Sequence, residues 1–206
     1  MMKFNLKKMA LAVMLFASAG VMAQTFGVRA GYVNSKETGS DAVSGIQVGP
    51  VAEMGLSNKM LAIQYGVLYS YLGSTYPGVV GTNHYTGHFV DVPVRLKLGF
   101  PVVSDVTLFA FAGPQMNFGI AQNVENRTVV FGSEVITNID RYKADVDDDG
   151  NYDMNRFDLQ LGLGAGLQFK NIQLQVGYDW GMFDLNKREN TEWKRNQLTA
   201  SVIYEF

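Results

Sequence analysis

Phe157-Asp158-Leu159-Gln160-Leu161-Gly162-Leu163-Gly164-Ala165-Gly166-Leu167-Gln168-Phe169 is the stretch on which the fold turns. Every second residue is apolar, and the residues between are small or polar. A strand sends successive side chains to opposite faces, so one face of this segment is wholly apolar and the other is not. Ile172, Leu174, Val176, Tyr178 and Trp180 repeat the pattern, with Gln173, Gln175, Gly177 and Asp179 between them. The last segment does so again, with Leu198, Ala200, Val202, Tyr204 and Phe206 against Thr199, Ser201 and Glu205; Ile203 breaks the alternation.

A soluble lipocalin-like barrel would alternate too. Length and aromatic placement favour a membrane. The segments run to roughly 11–17 residues, beyond the five or six common in globular proteins. A tilted strand needs about 9–11 residues to cross a bilayer. Aromatics gather at the stripe ends (Phe157 and Phe169, Tyr178 and Trp180, Tyr204 and Phe206), as in the girdles at the two membrane–water interfaces of such barrels.

Read backward from there, the sequence predicts strands near 25–34, 45–57, 60–73, 88–100, 105–122, 155–169, 171–185 and 196–206. Eight is the even number that single-chain bacterial barrels require. Short connections fall at 57–59, 101–104 and 170–171, and long ones at 35–44, 74–87, 123–154 and 186–195. Short turns on one side and long loops on the other are the sorting of an outer-membrane barrel, with the loop at 123–154 extracellular. The expected fold is all-β, an eight-stranded antiparallel up-and-down transmembrane barrel. The fifth strand is the least regular. Phe109 and Phe111 are read as lipid-facing, and past Gly113-Pro114 the apolar parity passes to Met116, Phe118 and Ile120, so a bulge or kink is expected near Pro114.

Ahead of the barrel, Lys3, Lys7 and Lys8 precede an uncharged, mostly apolar run from Met9 to Ala19 and a Val21-Met22-Ala23 site. This reads as a secretory signal peptide, residues 1–23, cut between Ala23 and Gln24. The barrel domain is then 24–206. The chain holds no cysteine, which excludes a disulfide framework and thiolate metal sites. Net charge is −2 without a basic block, so nucleic acid is not an expected partner.

If the apolar positions face lipid, their alternates face the lumen. Arg29, Glu53, Asp91, Arg95, Lys97, Asp158, Asp179 and Glu205 lie there. The interior of an eight-stranded barrel is just wide enough for side chains to fill it. Charges out of bulk water must pair, so these eight are expected to form a polar plug, extended by Gln64, Gln160, Gln168, Gln173 and Gln175. Gly162, Gly164 and Gly166 would make room for Arg95 and Lys97. The competing reading of the same residues is a narrow ion or proton path.

Two further constellations carry chemistry. Asp145, Asp147 and Asp149 before Gly150 match the start of a calcium loop, with Asn151 and Asp153 as further ligands. The twelfth position is Arg156 instead of a bidentate Glu, and a solvated acidic loop is the alternative. Calcium is the one cofactor the sequence raises. Catalysis would need a histidine beside a nucleophile or carboxylate. His84 and His88 are the two histidines, and no nucleophile motif surrounds them. The chain is therefore expected not to be an enzyme. Tyr65, Tyr69, Tyr71 and Tyr76 read as girdle and strand-end packing.

His88-Phe89-Val90-Asp91-Val92-Pro93-Val94-Arg95-Leu96-Lys97 and Leu108-Phe109-Ala110-Phe111-Ala112-Gly113-Pro114 resemble two strands of the PorT-like outer-membrane β-barrel family of Bacteroidetes. Phe157–Gly166 and Tyr178-Asp179-Trp180-Gly181 resemble its closing half. The resemblance implies an eight-stranded barrel in the cell outer membrane. It also implies that the terminal Phe206 is read by the barrel-assembly machinery. Its motifs are barrel-forming residues and bring no binding or catalytic signature. The expected function is a structural or interaction role with surface-exposed loops. A channel or transport component, or an accessory subunit of a protein secretion system, are the alternatives. Expected partners are outer-membrane lipid and surface or secretion-system proteins.

Overall fold

The structure, a computed structural model, describes residues 24–56, 60–78, 81–130, 133–143, 154–186 and 192–206. The signal-peptide reading of 1–23 lies outside them. Ten β elements follow in order: β1 (Gln24–Glu37), β2 (Val43–Gly55), β3 (Leu61–Gly66), β4 (Leu68–Gly78), β5 (Gly81–Val103), β6 (Val106–Val130), β7 (Ser133–Asp140), β8 (Phe157–Phe169), β9 (Ile172–Gly181) and β10 (Arg195–Glu205).

β3 and β4 are two parts of one strand. Both keep a single register against β2, from Gly55↔Ala62 to Ser44↔Gly73, and a single register against β5, from Leu61↔Leu98 to Gly78↔Gly81. The ladder lapses at Gly66–Val67, where Pro50 and Pro93 sit on the flanking strands and lack an N–H to give. Counting β3 and β4 as one, the strands of the ring pair antiparallel with their sequence neighbours, and β1 pairs with β10 from Gly27↔Glu205 to Glu37↔Arg195. The sheet closes into an eight-stranded up-and-down barrel. Closure leaves no open edge for lipid to meet, which is why only such a sheet spans a bilayer.

β7 lies outside the ring. It pairs with the far end of β6, from Asn123↔Asp140 to Val130↔Ser133. The connection predicted over 123–154 therefore begins as a hairpin. The predicted loop at 74–87 is likewise strand almost throughout, since β4 and β5 pair out to Gly78↔Gly81. These stretches carry Thr, Tyr, His and Asn without an apolar stripe. They project beyond the lipid, where both faces are wet and no alternation is required. At the other end, β5 and β6 meet at Val103↔Val106 and β8 and β9 at Phe169↔Ile172. Lys170 takes a left-handed backbone, φ 51°, in the latter turn.

Outward positions follow the predicted parity on β8, β9 and β10: Leu161, Leu163, Leu174, Val176, Leu198 and Val202 are exposed on the outer wall. Ile203, the exception, is fully buried inside, against Val51 and Leu68. β6 corrects the reading. Phe109 and Phe111 are 3% and 8% exposed and face the lumen, while Leu108 and Ala110 face out. One parity holds from Leu108 to Ile120, and β6 keeps one register against β8 through Gly113↔Gly162 and Pro114↔Leu161. The bulge expected near Pro114 is absent as a register shift. The β5–β6 ladder omits Val94–Arg95 opposite Gly113–Pro114, where Gly113 has φ 155°, and the shift comes later, at Ile120, between His88 and Phe89 on β5.

Candidate functional site: a filled lumen

The eight charged residues read as lumenal all point inward, and seven of them are buried; Glu53 keeps a little exposure. Seven of them fall into two clusters along the barrel axis, and Arg29 lies between the two. Nearest Gln24 and Phe206, Lys97 Nζ donates to Glu53 at 2.8 and 3.0 Å and to Gln168 Oε1 at 3.0 Å. Gln173 donates to Glu205 at 2.6 Å and to Glu53 at 3.2 Å, and Gln64 donates to Glu53 at 3.2 Å. Gln168 donates to Glu205 at 3.0 Å. Two carboxylates thus share one lysine and three glutamine amides. Neutral donors spread the surplus charge, as a carboxylate with its four lone-pair sites allows.

Toward the other end, Arg95 pairs with Asp179 and donates to Gln115 Oε1 at 3.1 Å. Gln115 donates to Gln160, and Gln160 to Asp158 at 2.9 Å. Asp158 faces Arg195 at 3.7 Å. Arg195 donates to Asn117, and Asn117 to Asp91, which also accepts from Gln47 at 2.8 Å and Ser70 at 2.5 Å. The periodic pattern alone does not reveal Arg195, because it starts the last strand one residue later. Gln115, Asn117, Gln47 and Ser70 carry no charge and do not stand out in the sequence.

An apolar layer separates the clusters. Phe109 and Phe111 reach across to β8 and β9. A Cβ on Gly164 or Gly166 would come within 2.3 Å of a phenyl carbon, and one on Gly177 within 3.0 Å. Those glycines make room for phenyl rings, which corrects the expectation that Gly164 and Gly166 clear space for Arg95 and Lys97. Gly162 does clear space for the charged pair, since a Cβ there would strike the Asp179 carboxylate. Val51, Leu68 and Ile203 complete the layer, and Lys97 Nζ sits 4.3 Å over the Phe109 ring. Arg29 lies here and donates to Thr199 Oγ1 at 3.3 Å. Arg29 Nε, the Gln175 amide and Ser201 Oγ are buried without a partner among the described residues.

The far mouth is closed by the turn after β7. Tyr142 is buried against Met154 and Leu185, with Trp193 packed beside them. Its hydroxyl accepts from Gln122 Nε2 at 2.7 Å, and its ring fills the space a Cβ on Gly119 would need. Arg141 donates to Glu37 at 2.9 Å and to Gln122 at 2.9 Å, joining the β7 hairpin to β1. Burial alone would lower the Arg141 pKa, but the charge and hydrogen bond of Glu37 outweigh it and hold the guanidinium above its ordinary value. Burial raises the Tyr142 phenol.

His84 and His88 lie on the outer wall, bonded to Thr75 Oγ1 at 2.9 Å and to the Tyr69 hydroxyl at 2.5 Å. Ser70 and Asp91 face the lumen, on the other side of the sheet. The calcium-loop residues Asp145, Asp147, Asp149, Asn151 and Asp153 lie outside the described residues. Among the described residues no group of three His, Asp or Glu side chains is arranged to hold a metal ion.

An apolar outer wall, a closed ring of eight strands and a polar, densely bonded interior define an integral β-barrel of the outer membrane. The chain belongs to the outer membrane protein beta-barrel domain family, which it matches over residues 16–187. No curated protein matches it. Among solved structures it is similar to Neisserial surface protein A, at 15% identity and a TM-score of 0.49, covering 88% of this chain and 97% of that one. It is also similar to a major outer membrane protein from Thermus thermophilus, at 16% identity and 0.46, covering 89% and 100%. The attachment invasion locus protein Ail of Yersinia pestis aligns at 16% identity and 0.42, covering 90% and 100%. These likenesses are partial, and the fold stated above rests on the chain's own strand pairing and its family.

Proposed function

We propose that this protein is a non-enzymatic barrel whose lumen is a structural plug and whose working surface is its outer end, where the β4–β5 and β6–β7 hairpins stand clear of the membrane. The observation that carries the reading is the filled lumen. Two hydrogen-bonded charge clusters, an aromatic layer between them and the Arg141–Tyr142 turn above them occupy the axis in succession. A solute would have to break buried ion pairs to pass, each costing about 3–5 kcal/mol when one partner is removed. The projecting hairpins are paired strands, a rigid way to present side chains to a partner.

Placing the short turns and both termini on the periplasmic side puts these hairpins at the cell surface. The histidines support the non-enzymatic reading, since both sit on the outer wall, away from Ser70 and Asp91. The narrower PorT-like assignment rests on the segments around Pro93 and Gly113-Pro114 and brings no role with it. Planar-bilayer recording of the purified monomer tests the plug. The expected record shows no stable open level, and long-lived ohmic channels would overturn it.

A further inference from the structure

The outer rim of the barrel differs between its two halves. On β8 the outward stripe ends in Phe157, which stacks with Phe118 at 5.1 Å and Phe183 at 5.9 Å between ring centroids. On β9 it ends in Tyr178 and Trp180, packed edge to face at 4.9 Å. On β1, β2, β4 and β5 the stripes end in hydrogen-bonding groups. Along β1 the outward residues run Val28, Ala30, Tyr32, Asn34, and along β5 they run Leu96, Val94, Val92, Val90, His88. Pairing joins these ends into one patch: Tyr32 lies beside Ile46, Ile46 beside Tyr71, and Tyr71 beside His88. One step further out, Asn34 lies beside Ser44.

The patch is built internally. Ser44 Oγ meets the Tyr32 hydroxyl at 2.6 Å and accepts from Asn34 Nδ2 at 3.0 Å. The Tyr69 hydroxyl meets His88 Nδ1 at 2.5 Å, and the Tyr71 ring lies 5.3 Å from the imidazole. Tyr32, Tyr69 and Tyr71 all keep large exposed areas. Two residues further along β4, Gly73 has no side chain beside the Tyr71 ring and hydroxyl, which lie 3.6 Å from where its Cβ would stand. What the patch offers is aromatic faces, the Tyr71 hydroxyl, His88 Nε2 and the Asn34 amide oxygen, which together can donate and accept. Tyr32, Asn34, Ser44, Tyr69, Tyr71 and His88 include no lysine or arginine, and the nearest cation on this face, Lys36, is the next outward residue of β1, one step beyond Asn34, so the groups of the patch itself lack the cations that would recognise a phosphate. It is continuous with the lipid-facing wall and sits where aliphatic side chains give way to polar ones, the depth of lipid headgroups.

We propose that this face of the barrel binds the saccharide headgroup of an outer-leaflet glycolipid, with the aromatic rings against the sugar and Tyr71, His88 and Asn34 bonding its hydroxyls. The assignment rests on the surface orientation given above. The test is the purified protein in nanodiscs of phosphatidylethanolamine and phosphatidylglycerol with added diglucosyl diacylglycerol, the lipids retained being read by native mass spectrometry. The glucolipid is expected to be retained over phosphatidylglycerol. Tyr71→Phe, which keeps the girdle ring and the fold, should weaken that retention about three- to tenfold, the effect of one neutral hydrogen bond. Trp180→Phe on the other half should leave it unchanged. Equal retention of the two lipids, or a Tyr71→Phe protein that retains the glucolipid as before, would overturn the proposal. Orientation is read separately: Ser40→Cys at the β1–β2 turn should react with an impermeant maleimide on intact cells. An unreactive thiol would overturn the orientation and the outer-leaflet source of the sugar, whatever the nanodiscs show.

Discussion

Gly177 has no side chain because Phe111 occupies the space. A Cβ there would meet only side chains, the Phe111 ring at 3.0 and 3.2 Å and Thr199 Oγ1 at 3.5 Å. Gly177→Ala should therefore cost about 1–3 kcal/mol of overpacking, measured by urea unfolding in lipid. Phe111→Leu in the same chain should recover most of it. Arg95 makes a different kind of contact, a buried ion pair with Asp179. Arg95→Met should cost about 3–5 kcal/mol, because it leaves a carboxylate buried alone, and Asp179→Asn should restore much of that loss. If Arg95→Met unfolded like the parent, the clusters would not be the plug described.

Single elements show what the sequence reveals and what it hides. β8 and β9 are legible residue by residue because lipid demands an unbroken apolar face and the lumen demands small or polar alternates. β6 misleads because Phe109 and Phe111 satisfy a hydrophobicity pattern equally well on either side of the wall. Only the glycines on β8 and β9, two strands of a different hairpin, show where the rings go. The eight lumenal charges are readable by parity alone, but the division of seven of them into two clusters with Arg29 between is not, since that depends on which strands face each other across the barrel. The outer hairpins hide for another reason: with water on both faces they carry no period at all.

Two predictions belong to this scale. Leu174→Arg on the lipid face of β9 should impair assembly by about 2–4 kcal/mol if the position is near the midplane, read as the fraction refolded into vesicles. The Arg141–Tyr142 turn should respond to alkali. Burial raises the Tyr142 phenol above its ordinary value of 10, and Arg141 is also held above its own. Both folded values exceed the unfolded ones; the phenol's stabilisation is complete below pH 10 and is lost as pH rises past it, while the guanidinium stays charged through that range. In a Trp180→Phe background Trp193 is the one tryptophan, packed against the cluster that holds Tyr142. Its fluorescence should change above pH 10 and lose the tyrosine-linked step in Tyr142→Phe. A flat trace to strong alkali would remove the docked turn from the account.

At the scale of the molecule, ring and plug are one design. An eight-stranded wall leaves an interior that side chains can fill, and the sequence fills it with paired charges, glutamines and two phenyl rings. The outer wall meets lipid, the lumen meets nothing, and the hairpins meet whatever lies beyond the membrane. A scan of spin labels at successive cysteines from Leu159 to Gln168, with the protein in bilayers, tests wall and plug together. The expected result is period-two accessibility to oxygen, high at Leu159, Leu161, Leu163, Ala165 and Leu167. The alternate positions should be shielded both from oxygen and from a water-soluble relaxation agent. Access of the water-soluble agent to the alternates would show an open lumen, and loss of the period would show that β8 does not form the wall of a membrane barrel.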